Sequence, residues 1–102
     1  MIFFAKAGRS NRELLQLKFN DTVFDFVAAG VTKVEVYAGG QTISSTGTAI
    51  TFAGDTLNVD FCALNLPAGT YYPEVVFFIG SNPLPQTIAA RGRPNSITLH
   101  FE

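Results

Sequence analysis

The sequence is poor in the residue types that carry most metal binding and nucleophilic catalysis. Its 102 residues include one cysteine, one histidine and no tryptophan, and only 15% of them are charged. A single cysteine, Cys62, excludes an internal disulfide and fits a protein that is made in a reducing cytoplasm. His100 is far from Cys62 in the chain, so their spacing supports neither a zinc site nor a Cys-His nucleophilic pair.

The chain also lacks a basic excess and a long apolar run. Seven basic and eight acidic residues give a net charge of −1, whereas proteins that bind nucleic acids show a basic surplus. The apolar run Met1–Ala5 is too short for a signal peptide, and no run approaches the length of a membrane span. We therefore expect neither nucleic acid nor a membrane as partner. The low charge favours self-association.

No recognisable catalytic or cofactor motif is present. The sequence has no Gly-x-Ser-x-Gly elbow. Gly39-Gly40 is predicted to be a hairpin turn, because the lysine and hydroxyl residue of a phosphate-binding loop do not follow it. The carboxylates are scattered over turns and solvent-facing positions, whereas a glycosidase needs two that face each other. We therefore predict a non-enzymatic protein with no catalytic, metal-binding or cofactor-binding residues.

Phenylalanine and short alternating segments are abundant. Ten phenylalanines and three tyrosines supply apolar area for a small core. Period-two alternation recurs along the chain, as in Leu15–Phe19, Val34–Tyr37 and Leu57–Phe61. Turn signals such as Pro67-Ala68-Gly69 separate the segments about every 8 to 12 residues. The pattern predicts one domain over residues 1–102, an all-β antiparallel sandwich of about seven to nine strands.

The same alternation assigns the less obvious segments. Asn11–Gln16 is the only candidate helix, but it continues into the alternating Leu17 and Phe19, which favours a strand. Cys62 lies in a strand-like run, which predicts a buried thiol. His100 alternates with Leu99 and Phe101 and should point away from the core.

The segment Leu66–Gly80 differs from the rest. A turn at Pro67-Ala68-Gly69 precedes Tyr71–Ile79, whose second half is apolar on both faces. Pro73 cannot donate to a ladder, so we expect it at an edge or a bulge. Exposure of Val76 and Phe78 would be an aggregation hazard, so either a neighbouring loop or a partner subunit must cover them.

Two further segments are candidates for subunit contacts. Residues 1–12 are either the first strand with a polar loop or an N-terminal arm that pairs with a neighbour. Arg91-Gly92-Arg93 is either a solvated turn or a grip for phosphate or for a partner's carboxylate. Together with the Pro83-Leu84-Pro85 loop, these segments supply the predicted interface residues: Ile2, Phe3, Phe4, Arg9, Arg12, Val76, Phe78, Leu84, Arg91 and Arg93.

Residues 20–101 resemble small immunoglobulin-like β-sandwich domains of tailed bacteriophages, in particular the N-terminal domain of phage baseplate upper proteins and small capsid decoration proteins. The resemblance rests on Phe24-Asp25-Phe26, Val31–Tyr37, Thr46–Phe52, Asp55–Val59 and the Pro-x-Gly-Thr-Tyr turn at Leu66–Tyr71. It implies an immunoglobulin-like sandwich without catalytic residues. The chain ends at Glu102, whereas baseplate and fibre proteins continue into further domains, which favours a stand-alone accessory protein.

The resemblance leads to one functional hypothesis and two alternatives. We expect a structural protein of a bacteriophage virion, made in the host cytoplasm. Its role would be that of a homo-oligomeric capsid decoration or accessory protein, with the major capsid protein or baseplate as partner. The first alternative is a baseplate or tail-fibre component. The second is a carbohydrate-binding or adhesin-like module using Tyr37 and Tyr72, against which the lack of tryptophan counts.

Overall fold

The chain is an all-β protein in a computed structural model that describes residues 1–102. Its only helical segment is a single 3₁₀ turn, and no helix is long and apolar enough to cross a membrane. The strands are β1 (Ile2–Ala5), β2 (Arg12–Leu15), β3 (Lys18–Phe19), β4 (Thr22–Val23), β5 (Val31–Ala38), β6 (Gln41–Ser44), β7 (Ile50–Ala53), β8 (Thr56–Asp60), β9 (Gly69–Tyr71), β10 (Glu74–Ile79), β11 (Gln86–Ala89) and β12 (Thr98–Phe101), with the 3₁₀ turn at Phe61–Leu64.

The strands are arranged in layers around one core. One sheet has the order β2-β8-β7, a second β11-β10-β5-β6 and a third β1-β12-β9, while β3 and β4 form a separate hairpin. All pairs are antiparallel except β1 with β12, which run parallel. A single cluster of 23 buried residues draws on every sheet, so the predicted β-sandwich is confirmed.

The inward residues are those that the alternation indicated. Val34 and Val36 of β5 and Leu57 and Val59 of β8 are buried, while the residues between them are partly exposed. Asn11–Gln16 contains β2 and no helix, as the alternation predicted. A sheet with one buried face produces this pattern because successive side chains point to opposite sides.

The number of strands is higher than the predicted seven to nine, because long runs are interrupted. Tyr71–Ile79, expected as one strand, divides at Pro73 into β9 and β10, which belong to different sheets. Proline has no N–H for a ladder, so pairing stops there and resumes against another neighbour. The partner strands divide in the same way: β11 pairs with β10, and β12 pairs with β9.

Phenylalanine rings fill the core. Phe77 lies 4.7 Å from Phe24 and 5.9 Å from Phe19 between ring centroids, and Phe24 lies 5.0 Å from Phe26. The contact of Phe26 with Phe52, at 5.8 Å, extends the group to a fourth part of the chain. Tilted and edge-on pairs at these distances are the favoured aromatic arrangements, which explains the use of so many phenylalanines in a small domain.

The turn before β9 is fixed by a side chain. The Tyr71 hydroxyl donates a hydrogen bond to the Pro67 carbonyl at 2.8 Å. Gly39 of the β5–β6 hairpin packs against this corner, and an added Cβ would lie 2.6 Å from Leu66 and 2.9 Å from Tyr71. The φ angles of +56° at Gly39 and +81° at Gly40 also suit the two-residue hairpin turn. Glycine is therefore required at position 39 for two independent reasons.

Two buried polar residues connect loops to the sheets. The Asp60 carboxylate accepts hydrogen bonds from the Ser10 hydroxyl at 2.8 Å and from the Asn11 and Cys62 N–H groups at 3.2 Å. The Asn95 amide accepts from the Lys18 N–H at 3.0 Å and donates to the Ile88 and Lys18 carbonyls. Both side chains thus form hydrogen bonds with backbone groups that have no backbone partner in these irregular segments.

Candidate functional site

In the third sheet, the most exposed large apolar side chains belong to the edge strand β1. Ile2 is 64% exposed and Phe4 is 58% exposed. The sheet order β1-β12-β9 leaves one side of β1 without a neighbour. Phe3 points the other way, where its ring lies 5.4 Å from that of buried Phe61. Residues 1–12, predicted as a strand or an arm, thus include a strand that pairs within the chain.

His100 supports the exposed face of β1. Its ring stacks on Phe4 with centroids 5.2 Å apart, and its Nδ1 lies 3.1 Å from the Thr70 hydroxyl. The expected outward orientation of His100 is therefore confirmed. Its contact with Phe4 was not predicted, because it requires the parallel register that places Phe4 beside His100. Alternation indicates the face of a residue but not its cross-strand neighbour.

A cleft of about 230 Å³ opens beside the end of β1. Phe4, Ala5 and Cys62 contribute apolar walls, and Lys6, Arg9 and Glu102 contribute charge. The structure therefore brings together two predicted interface residues, Phe4 and Arg9. Cys62 is 2% exposed, which confirms the predicted buried thiol, but it lies in the 3₁₀ turn Phe61–Leu64 and not in a strand as the sequence predicted.

Val76 is not available for a partner, contrary to the interface prediction. It is 1% exposed, and its direct cross-strand neighbours are Glu35 on β5 and Thr87 on β11. Phe78 is partly covered, with the Lys33 amine 4.2 Å from its ring centroid. A strand with a neighbour on each side can be covered by long side chains from both, so this face needs no second subunit.

The side chains over β10 form a short polar network. Lys33 lies 3.7 Å from the Glu35 carboxylate, which accepts a hydrogen bond from the Tyr37 hydroxyl. Burial, then the hydrogen bond and charge of Glu35, then the charge of Glu74 raise the pKa of Tyr37 to about 12. These interactions hold the phenol in its neutral form.

The predicted arginines lie in separate places. Arg12 donates to the Asn58 side chain at 2.9 Å and to the Thr48 carbonyl, so it braces the β2–β8–β7 sheet. Arg9 lines the cleft beside β1, whereas Arg93 lines another, of about 360 Å³, with Lys18. Arg9 and Arg93 therefore line different clefts, and Arg12 is engaged within a sheet.

Arg91 and Tyr72 pair with each other. The Arg91 guanidinium lies 4.1 Å from the centroid of the Tyr72 ring, which is 40% exposed. One face of the ring is thus occupied by a cation. Tyr37, the other aromatic side chain suggested for sugar binding, uses its hydroxyl on Glu35.

Other exposed apolar side chains stand apart from β1. Leu84, a predicted interface residue, is 70% exposed in the loop before β11. Sequence reasoning did not select Leu14 on β2, which is 69% exposed, or Val27, which is 61% exposed. The alternation with buried Leu15 and Leu17 is the signal that could have identified Leu14 as outward-facing.

Comparisons with known proteins assign neither family nor activity. No protein-family model, curated protein or solved structure matches this chain. The structure has no group of three or more histidine, cysteine or carboxylate side chains placed to hold a metal ion. The candidate functional site is therefore the exposed edge strand β1, with the cleft beside it.

Proposed function

We propose that this protein is a non-enzymatic structural component of a bacteriophage particle, most specifically a capsid decoration or accessory protein. The observation that carries the proposal is the exposed apolar edge of β1, where Ile2 and Phe4 lie open beside an unpaired strand edge. Large apolar side chains at an open edge favour protein–protein contact. The assignment to a bacteriophage rests in addition on the resemblance of the sequence to small sandwich domains of tailed phages.

We also propose that the sandwich is immunoglobulin-like. Two features support this. The hydrogen bond from Tyr71 to Pro67, four residues upstream, has the form of the tyrosine corner of such sandwiches. The β9/β10 and β11/β12 segments form one interrupted hairpin, and its β10 pairs with β5, while β2, β8 and β7 form a separate sheet. In immunoglobulin-like domains the last two strands, F and G, likewise share a sheet with the third strand, C.

The function is tested on purified particles of the phage that encodes the chain. We expect the protein to co-sediment with particles through a density gradient, at a fixed ratio to the major capsid protein. Separation of heads from tails then assigns its position: recovery with heads supports a decoration protein, and recovery with tails supports the baseplate or fibre alternative. Absence from particles that infect normally would overturn the proposal.

A matched pair of variants connects this test to the site. Phe4→Lys changes the exposed edge of β1, and Leu14→Lys makes the same change at the 69% exposed Leu14 on β2. We expect the ratio of protein to particle to fall with Phe4→Lys and to stay unchanged with Leu14→Lys. Equal loss with both variants would show that β1 is not the contact surface.

A further inference from the structure

The open edges of the sheets differ in how they are protected against pairing with another chain. Proteins protect open edges with charges, prolines, bulges or short strands. On β2, the edge carries Arg12 and Glu13, and β11 follows Pro85 and pairs across a bulge at Val75/Val76. The β6 edge exposes polar Gln41 and Thr42. These edges discourage pairing.

The β1 edge is as short as β2, β6, β7 and β11, at four residues, but it lacks the other three protections. Its sequence Ile-Phe-Phe-Ala contains no charge and no proline, and its pairing with β12 has no bulge. On β7, which also lacks charge, the exposed residues are the small Thr51 and Ala53, whereas β1 exposes Ile2 and Phe4. An edge of this kind is suited to strand addition, in which backbone hydrogen bonds supply affinity and side-chain pairs supply specificity.

The backbone groups free for such pairing belong to Ile2 and Phe4. In a parallel ladder, alternate residues of a strand bond to its neighbour. The Met1 and Ala5 carbonyls accept from the Thr98 and Glu102 N–H groups at 2.8 and 3.0 Å, so the odd-numbered residues face β12. The N–H and C=O groups of Ile2 and Phe4 therefore point to the open side.

We propose that a second copy of this chain docks on β1 in antiparallel orientation, with the two-fold axis at Phe3. In this register Ile2 of each copy lies opposite Phe4 of the other. Residues of an antiparallel hydrogen-bonded pair exchange both backbone bonds, so all the outward groups of these residues are satisfied. The exposed side chains meet as two identical isoleucine–phenylalanine pairs. A two-fold interface requires this kind of self-complementarity.

Other registers satisfy fewer groups. Pairing Ile2 with itself leaves Phe4 beyond the end of the second strand. Pairing Phe4 with itself places Ile2 opposite Lys6, whose carbonyl already accepts a hydrogen bond from the Arg9 N–H at 3.2 Å. That turn closes the edge after Phe4. The register centred on Phe3 is therefore the one that uses the whole open edge.

The cleft beside β1 supports a second copy as the occupant. In the proposed register Ala5, which is buried on the inner side with Phe3, lies opposite Met1 of the second copy. Ala5 and Cys62 line the cleft of about 230 Å³ there, and Met1 is 46% exposed. A flexible methionine side chain can pack against the apolar wall of this cleft, formed by Phe4, Ala5 and Cys62, while Lys6, Arg9 and Glu102 border the other side. The register thus places Met1 of each copy beside the cleft of the other.

The contact area predicts a weak dimer. A pair of four-residue strands buries far less than the about 1,200 Å² at the lower end of stable interfaces. We expect a reversible dimer that forms at high-micromolar concentration, which suits a particle where many copies are held close together. This inference rests on the proposed function for its biological setting, but the geometry stands independently of it.

Sedimentation equilibrium of the full chain tests the edge. We expect wild-type protein to dimerise reversibly, Ile2→Lys and Phe4→Lys to raise the dissociation constant at least about tenfold, and Leu14→Lys to leave it unchanged, because a lysine blocks an edge only where strands pair. Circular dichroism checks that each variant is folded. A monomer up to millimolar concentration, or a dimer that the β1 lysines leave intact, would overturn the proposal.

Cross-linking tests the register. An equimolar mixture of Ile2→Cys and Phe4→Cys proteins should form a disulfide-linked dimer on mild oxidation, while either variant alone should form far less. Cys62 is buried and present in every variant, so the wild type measures the background level of cross-linking. Stronger cross-linking by Ile2→Cys alone would contradict the axis at Phe3. A dimer that cross-links as expected but is absent from phage particles would refute the proposed function and leave this inference standing.

Discussion

The strands β10 and β1 are both apolar runs without alternation, yet the chain treats them differently. Val76 and Phe77 of β10 are 1% exposed, whereas Ile2 and Phe4 of β1 are 64% and 58% exposed. The difference lies in position, because β10 has β5 and β11 as neighbours and β1 has only β12. The comparison teaches that an apolar run stays exposed to solvent where the sheet ends and is covered where neighbouring strands flank it.

Truncating equivalent rings on the two strands gives the largest contrast. Phe77→Ala removes a buried ring in contact with Phe24 and Phe19, and we expect the free energy of unfolding to fall by about 3–5 kcal/mol. Phe4→Ala should change it by less than about 0.5 kcal/mol, as at other exposed sites. Urea unfolding of dilute protein measures both values. Similar losses would show that β1 is part of the core.

The outer faces of the two strands allow a finer comparison. Val76→Ala should cost about 2 kcal/mol, because two methyl groups are removed from a site that is 1% exposed. Ile2→Ala, at a 64% exposed site, should have almost no effect on the monomer. Thermal unfolding at a concentration below dimerisation measures the two changes. A neutral Val76→Ala would mean that the polar cover over β10 opens in solution.

The corner formed by Tyr71 and Pro67, which precedes β10, can be weakened without changing a residue of β10 or β1. Tyr71→Phe removes the hydrogen bond to the Pro67 carbonyl, and we expect a loss of about 1 kcal/mol. The ring remains against Phe101, 6.0 Å away between centroids, so packing is preserved. Denaturant unfolding of the variant checks the value. If the corner sets the entry of β10 alone, the dimerisation constant at β1 should not change.

The smallest expected effect concerns the ionisable cover of β10. The pKa of Tyr37 is raised from 10.0 to about 12, so between these pH values the unfolded chain has released a proton that the folded chain retains. The contribution of the neutral Tyr37 phenol to folding stability is therefore fully present below pH 10 and is lost as the pH rises towards 12. Tyr37→Phe should remove this part of the decline.

The matched measurement is an absorbance titration of the phenol groups. We expect a component with a midpoint near pH 12 in the wild type, and its loss in Tyr37→Phe. A wild-type titration without this late component would show that Glu35 and Glu74 do not restrain the phenol.

Much of the fold could be predicted from the sequence, but only where residues close together in the chain determine the structure. The alternation identified the inward residues of β5 and β8, and the turn residues located the Gly39-Gly40 hairpin. The Tyr71 turn was recognised from its motif. The burial of Val76 was not predicted, because a run that is apolar on both faces does not reveal whether cover comes from its own neighbours or from another chain.

By itself the sequence determined the all-β class and the faces of most strands, because period two and turn chemistry act within a few residues. Only the tertiary structure decided that Pro73 separates two sheets, that β1 runs parallel to β12 and that β1 lies at an edge. Those outcomes depend on pairing between segments distant in the chain, as between Ile2 and Thr98. No local pattern records such pairing.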